Sequence, residues 1–333
     1  MTPIFTAIGN ACIDLIAPVD DAFLIRHGLT KGLCRFVDDA ALLDAIKSEI
    51  GTYQSIPGGA GANVTHVMSA LGQQAHFISK IGADPEGAYF KKYMEENGVK
   101  CHFPAPSENM GSSQVFTFIT PDGERTFLSF DDVAKTFTSA DYDFDLLHQT
   151  NFLYLDGYCL VSKSTPQSFV EAANAARHRG GHVTFNIGDI EYYTTQKNDV
   201  TTILNSCDSV ICNANEARVM FGDNDDLSIL ARKMSEQFLF GAITDGENGA
   251  IVFHNKIIAH VPAIAIPPSA LVDTNGAGDH FSAGFIYGLM NGYNLEQSGR
   301  LGTLCSADCI THAGARPLGG YGSLKHLIGH SQK

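Results

Sequence analysis

The chain of 333 residues has no tryptophan, no Gly-Lys dipeptide and no C-x-x-C pair among its eight cysteines. The missing Gly-Lys removes the Walker phosphate loop. Gly-x-Ser-x-Gly and His-Glu-x-x-His are also missing, which removes the serine-hydrolase elbow and the zincin helix. Eight scattered cysteines in apolar contexts read as reduced core thiols of a cytoplasmic protein, not as a disulfide framework. Cys305, Cys309 and His312 could share a helix face, but a fourth metal ligand is not evident. Cations are scarce: 22 Lys and Arg against 36 Asp and Glu leave a formal charge of −14. That balance argues against nucleic acid or an anionic membrane as partner. It also means that a bound phosphate would be neutralised by a divalent cation and not by a basic patch. No run approaches the ~20 apolar residues of a membrane span. The opening MTPIFTAIGNACIDLIAPVDD has no basic n-region, so it does not read as a signal peptide.

What is present is an ordinary globular composition, 44% apolar and 17% charged, long enough for a large core. Short β-branched runs alternate with helical patterns. Strands are expected at Phe5–Gly9, His76–Ile81, Phe152–Leu155, His182–Asn186, Ser209–Cys212 and Phe238–Thr244. Helices are expected at Ala60–Leu71, Glu86–Asn97 and near Pro166–Arg179, and a hairpin at Ile251–Phe253 and Ile257–Val261. Such interleaving predicts an α/β fold, doubly wound, with a mostly parallel central sheet and helices on both faces. Ser113–Phe130 departs from that rhythm. It alternates apolar and polar residues around a Pro-Asp-Gly turn and reads as an antiparallel hairpin with one open face. With an insert at about 16–50, the segment at about 101–130 is expected to form a small β-rich lid on a single domain spanning 1–333.

The most informative segment is LVDTNGAGDHFSAGFIYGL, residues 271–289. Gly276, Ala277 and Gly278 precede Asp279 at an expected helix start. First-turn amides lack intrahelical partners and sit at the positive end of the dipole, an arrangement that binds phosphate. A carboxylate there would repel phosphate, so Asp279 is better read as a base that takes a proton from an attacking alcohol, worth about 100- to 10,000-fold. The plainer alternative, a dipole cap, is worth about 0.3–1 kcal/mol.

Four other elements sit beside it in the reading. Gly58, Gly59, Gly61 and Asn63 form a glycine-rich turn into a helix. Asn10 and Asp14 follow the first strand, where α/β sheets bind ligands. Asn213 and Glu216 follow another strand; a carboxylate there could organise Mg²⁺ through water. Thr244, Gly246 and Gly249 form a turn that could clasp a nucleotide.

In this order the motifs resemble the ribokinase-like, or PfkB, family of carbohydrate and nucleoside kinases, and the resemblance covers nearly the whole chain. It is most specific at Asp273-Thr274-Asn275-Gly276-Ala277-Gly278-Asp279. It implies a kinase that moves the ATP γ-phosphate to a CH₂OH group with Mg²⁺. Asp279 then matches the base and Gly276, Ala277 and Gly278 the anion hole. Asp14, Asn10, Gly58, Gly59 and Asn63 match the acceptor site. Asn213, Thr244, Gly246, Gly249 and Asn275 match the nucleotide site, and Glu216 the Mg²⁺ carboxylate. The alternative register, Asn215 with Arg218, would put a cation where the acid belongs. The resemblance also implies a monovalent cation such as K⁺ near Asp273. The opening, the ending His312-Ala313-Gly314-Ala315-Arg316-Pro317 and the turn around Arg125 are similar to bacterial adenosine-kinase-like members. In those, Arg125 would swing onto the transferring phosphate, and Phe36, Phe116 and Phe118 are candidate base contacts. A small sugar or nucleoside is thus the expected partner, to a monomer or homodimer. His280 is expected to point away from Asp279.

Overall fold

The structure is a computed structural model that describes residues 2–222 and 226–328. Among them are fourteen strands: β1 (Ile4–Ile8), β2 (Cys12–Pro18), β3 (Cys34–Val37), β4 (Gln54–Gly58), β5 (Gln74–Ile78), β6 (Lys100–His102), β7 (Ser113–Ile119), β8 (Arg125–Phe130), β9 (Phe152–Asp156), β10 (His182–Asn186), β11 (Ser209–Asn213), β12 (Phe240–Thr244), β13 (Ala250–His254) and β14 (Ile257–Val261).

Nine of these form the main sheet in the order β14-β13-β12-β11-β10-β9-β1-β5-β6. It is parallel from β6 to β12 and antiparallel at the β12-β13-β14 edge. Alternate strand residues reach opposite faces. Phe5, Ala7 and Tyr154 pack with the helices Ala60–Ala70 and Ala277–Met290, while Ile8, Leu153 and Leu155 pack with the helix Thr165–Arg177. Strands buried on both faces carry little polar alternation, which is why their β-branched runs were readable. The chain runs outward from β1 through β5 to β6, then restarts at β9 on the other side of β1. This reversal opens a crevice at the carboxyl ends of the strands, the usual ligand site in such sheets.

The lid differs from its expected outline. It is a five-stranded sheet, β3-β8-β7-β2-β4, so its first segment runs from Cys12 to Gly58 and its second from Ser113 to Phe130. The 16–50 insert also supplies two short helices, Asp21–Arg26 and Ala40–Ile50. Residues Lys100–His102 belong to the main sheet instead, as β6 beside β5. The β7–β8 hairpin is present, antiparallel, with Gly123 at φ +84° in its turn. Its open face does not face bulk solvent. Val115, Thr117, Phe127 and Ser129 line a cavity, and the other face carries Phe116 and Phe118, stacked at 5.2 Å. Phe23 packs on Phe118 and Tyr53 on Phe116. Phe116 and Phe118 are therefore lid core, fully buried, and not ligand contacts.

Candidate active site

A cavity of about 440 Å³ lies between the lid and the carboxyl ends of the main sheet. The helix Ala277–Met290 starts at its floor. Gly276 caps that helix at φ +77°, and a β-carbon there would lie 2.3 Å from Ala315 Cβ, so both backbone angle and space demand glycine. Ala277 N closes the turn onto Thr274 O at 3.3 Å. Among the described residues, the amides of Gly276 and Gly278 donate to no protein group outside the helix. They are the orphan donors that an anion can satisfy.

Asp279 lines the same cavity. Its Oδ2 accepts from Asn63 Nδ2 at 2.7 Å. Burial pushes its carboxyl up to about 7, against lowering by Asn63, with Asp156 raising it further. A dipole cap would be solvated and held low; here desolvation overrides the helix end. A carboxylate tuned near neutrality suits proton abstraction.

Asn63 comes from the first turn of the helix Ala60–Ala70. That turn is fixed by the buried carboxylate of Asp156, at the end of β9, which accepts from Gly61 N at 2.8 Å and Tyr158 N at 3.0 Å. Asn63 Oδ1 is buried and unpartnered, as is Oδ1 of Asn10, whose Nδ2 donates to Asp131 at 2.9 Å. Buried polar atoms without partners are uncommon. Both residues line the cavity, so both can accept from hydroxyls of a bound acceptor.

Asp14 lies in lid strand β2 and not at the end of a main-sheet strand, and it still faces the cavity. Burial pushes it up to about 6. Gly58 makes room for it: a β-carbon on Gly58 would fall 2.4–2.5 Å from the Asp14 carboxylate. Gly58 itself does not line the cavity; Gly59 does.

On the opposite side stand Asn213, Glu216, Thr244 and Asn275, all lining the cavity. Asn213 and Glu216 form a reciprocal capping box, each side chain accepting from the other's amide at 2.9 Å. Glu216 is 8% exposed, and burial pushes it up to about 7. The alternative pair, Asn215 and Arg218, is an exposed 3.2 Å contact away from the cavity. Gly246 and Gly249 sit in the turn between β12 and β13 and do not line the cavity.

Arg125 and Asp273 meet each other. Arg125 Nη2 is 2.7 Å from Asp273 Oδ1, so the lid hairpin is tied to the segment before the glycine turn. Asp273 also accepts from Asn275 N at 2.8 Å and Gly314 N at 3.0 Å. Both of its oxygens thus take protein donors, which compete with a monovalent cation for that carboxylate. His280 points away from Asp279, as read, but is not idle. It is fully buried between Ala315 O, 3.2 Å from Nε2, and Tyr321 Oη, 3.0 Å from Nδ1. Burial pushes it down to about 4, so it lends Asp279 no charge at neutral pH. Among the described residues no group of three His, Cys, Asp or Glu could hold a metal, Cys305, Cys309 and His312 included.

Sequence reasoning missed Asp131, Tyr158, Asp189 and Tyr192, which also line the cavity. Asp131 and Asp189 come from loops, Tyr158 from a 3-10 turn after β9 and Tyr192 from the short helix Ile190–Thr195, segments whose convergence no local pattern signals. Phe36, half-exposed, does line it, as does Phe127. Among the described residues, no Lys, Arg or His lines this cavity.

A family model described as pfkB family carbohydrate kinase matches residues 7–318. An "uncharacterized sugar kinase" of Archaeoglobus fulgidus is 29% identical over 256 residues, covering 75% of this chain and 96% of the relative. Among solved structures, a probable sugar kinase from Rhizobium etli superposes with TM-score 0.88 at 26% identity, covering 98% of this chain and 99% of the other. The adenosine kinase from Sinorhizobium meliloti superposes with TM-score 0.88 at 25% identity, with the same coverage. Among the described residues, no helix is long and apolar enough to cross a membrane.

Proposed function

The chain belongs to the pfkB family of carbohydrate kinases, and from that membership we propose that it moves the γ-phosphate of ATP onto the CH₂OH of a nucleoside, adenosine-like acceptors being favoured over free sugars. The observation that carries the choice is the cavity lining. Phe36, Phe127, Tyr158 and Tyr192 offer flat apolar surface, and no cation is present among the described lining residues. A flat base stacks on such rings, whereas a phosphorylated hexose would meet several carboxylates and no cation among the described lining residues.

In the proposed reaction Asp279 takes the proton of the acceptor CH₂OH as its oxygen attacks. Asn63 orients Asp279, and Asn63, Asn10 and Asp14 grip acceptor hydroxyls. The amides of Gly276 and Gly278, with Ala277, hold the transferring phosphoryl group, each well-aimed donor adding roughly 3–4 kcal/mol. Arg125 would exchange Asp273 for that phosphate. Asn213, Thr244 and Asn275 would contact the nucleotide, with Gly246 and Gly249 shaping the turn behind Thr244. The residues fit Mg²⁺ held mostly by phosphates and waters, since Glu216 is a single buried carboxylate and no protein cage is formed among the described residues. When bound, that ion would neutralise phosphate charge. The whole is read as one domain with a lid, acting in the cytoplasm.

ADP release from ATP and Mg²⁺ should be measured with adenosine, inosine, ribose, fructose and fructose 6-phosphate. Adenosine is expected to give kcat/KM at least about tenfold above the sugars, a modest gain of the size one stacking contact supplies. Preference for ribose or fructose would replace the nucleoside reading with a sugar kinase, and preference for the phosphosugar would overturn the cavity argument. The pH profile is a second expected result. Asp279 must be ionised to act and its carboxyl is pushed up to about 7. Below that pH, kcat/KM should fall about tenfold per unit. Glu216 is also pushed up to about 7, so the limb should persist in Glu216→Gln. A profile flat down to pH 5 would exclude a base with so raised a pKa.

A further inference from the structure

Arg316 is the only buried Lys or Arg among the described residues, at 4% exposure. Burying a guanidinium costs several kcal/mol unless it is well compensated. Its donors go to main-chain carbonyls instead of a carboxylate. Nε donates to Pro57 O at 2.8 Å and Nη2 to Gly58 O at 2.9 Å, with Nη1 3.4 Å from Met94 Sδ and the Tyr93 ring 6.0 Å away. Those carbonyls end lid strand β4, and Gly58 is the residue on whose Cα the Asp14 carboxylate rests. On the other side, the short segment 314–316 that carries Arg316 joins the glycine turn. Gly314 N donates to Asp273, Ala315 O accepts from His280 and Ala315 Cβ packs on Gly276. The segment therefore contacts both halves of the site while lining neither.

We propose that Arg316 is a positioning residue: it registers the Pro57-Gly58 peptide, and with it Asp14, against the helix start that carries Asp279. The inference rests on Asp279 being the base. The electrostatics agree. Burial raises Asp14 and Asp279, and Arg316 lowers each. Asp156 and Asp14 are the charges that oppose it around Asp279; Asp14, Cys12, Tyr93 and Asp279 surround Arg316. The neighbouring imidazoles, His66 at about 3 and His280 at about 4, are neutral and do not substitute for it.

The test uses the full chain with ATP and adenosine, or with whichever acceptor of the panel the parent enzyme turns over. Arg316→Lys keeps the charge and loses the fork. It should raise KM for the acceptor about tenfold, leave KM for ATP unchanged and keep the parent's acid limb. Arg316→Met should move that limb upward by about one pH unit. A Met variant with the parent's limb, or a Lys variant whose two KM values rise together, would overturn the proposal. Should the Met variant lose its thermal transition, the KM split in Arg316→Lys decides alone. If Asp279→Asn proves fully active, the base reading fails, and that KM split still tests the positioning of Asp14.

Discussion

Asp279→Asn is expected to lower kcat by at least about 100-fold, within the range that a positioned general base supplies, with fold and ATP binding retained. The substitution keeps the shape of the side chain. The new amide oxygen can still accept the 2.7 Å bond from Asn63 Nδ2. It removes the capacity to take a proton, and it removes a charge that burial already disfavours, since the carboxyl is pushed up to about 7. Thermal stability should therefore hold or rise, unlike the loss that follows when one partner of a buried ion pair is removed. The acid limb of the pH profile should vanish along with the turnover. Three measurements suffice: kcat with adenosine, the thermal midpoint, and affinity for a non-hydrolysable ATP analogue. If kcat stays within about threefold of the parent while the protein remains folded, Asp279 is not the base, since such a loss lies far below what a base contributes.

That residue was legible because its signal is local. Gly276 to Asp279 occupy one turn, and both the strained φ and the free amides follow from four consecutive positions. The buried strands of the main sheet were legible for a similar reason, as unbroken β-branched runs. Pairings between distant segments were not. Nothing in Cys12–Pro18 says that it lies between β4 and β7 in a second sheet, so the sequence places Asp14 after the first strand, while the structure brings it to the cavity from the lid. In β7 the alternation was plain, but its parity was not. Period two says that the faces differ, not which one faces the ligand. Thus the alternation alone leaves Phe116 and Phe118 as candidate contacts, while Val115 and Thr117 line the cavity. Charge partners carry the same ambiguity. Arg125 is an arginine on a lid hairpin whether it meets a phosphate or Asp273, and only three-dimensional proximity identifies Asp273. Arg316 contacts carbonyls 258 and 259 residues away, a distance at which no window of sequence carries information.

The glycine turn gives a pair of substitutions with opposite effects on stability and the same effect on activity. Gly276→Ala places a β-carbon 2.3 Å from Ala315 Cβ on a backbone at φ +77°. The left-handed conformation alone costs roughly 1–2 kcal/mol, and the overlap forces the turn or the Arg316 segment to move. Misaiming one anion-hole donor typically costs about 100- to 1,000-fold in kcat, so this variant should lose both thermal stability and turnover. Gly278→Ala is the informative counterpart. Its backbone is ordinary and nothing lies within 4 Å of the added carbon, and alanine is the better helix former by about 0.5–1 kcal/mol. Its thermal midpoint should rise. The added methyl nevertheless stands beside the free amide, where a phosphoryl oxygen must approach the main chain closely, so kcat should fall by about tenfold or more. A Gly278→Ala enzyme that is both more stable and fully active would mean that phosphate does not sit on this turn. The role of the neighbouring Asp279 would then have to be argued without it.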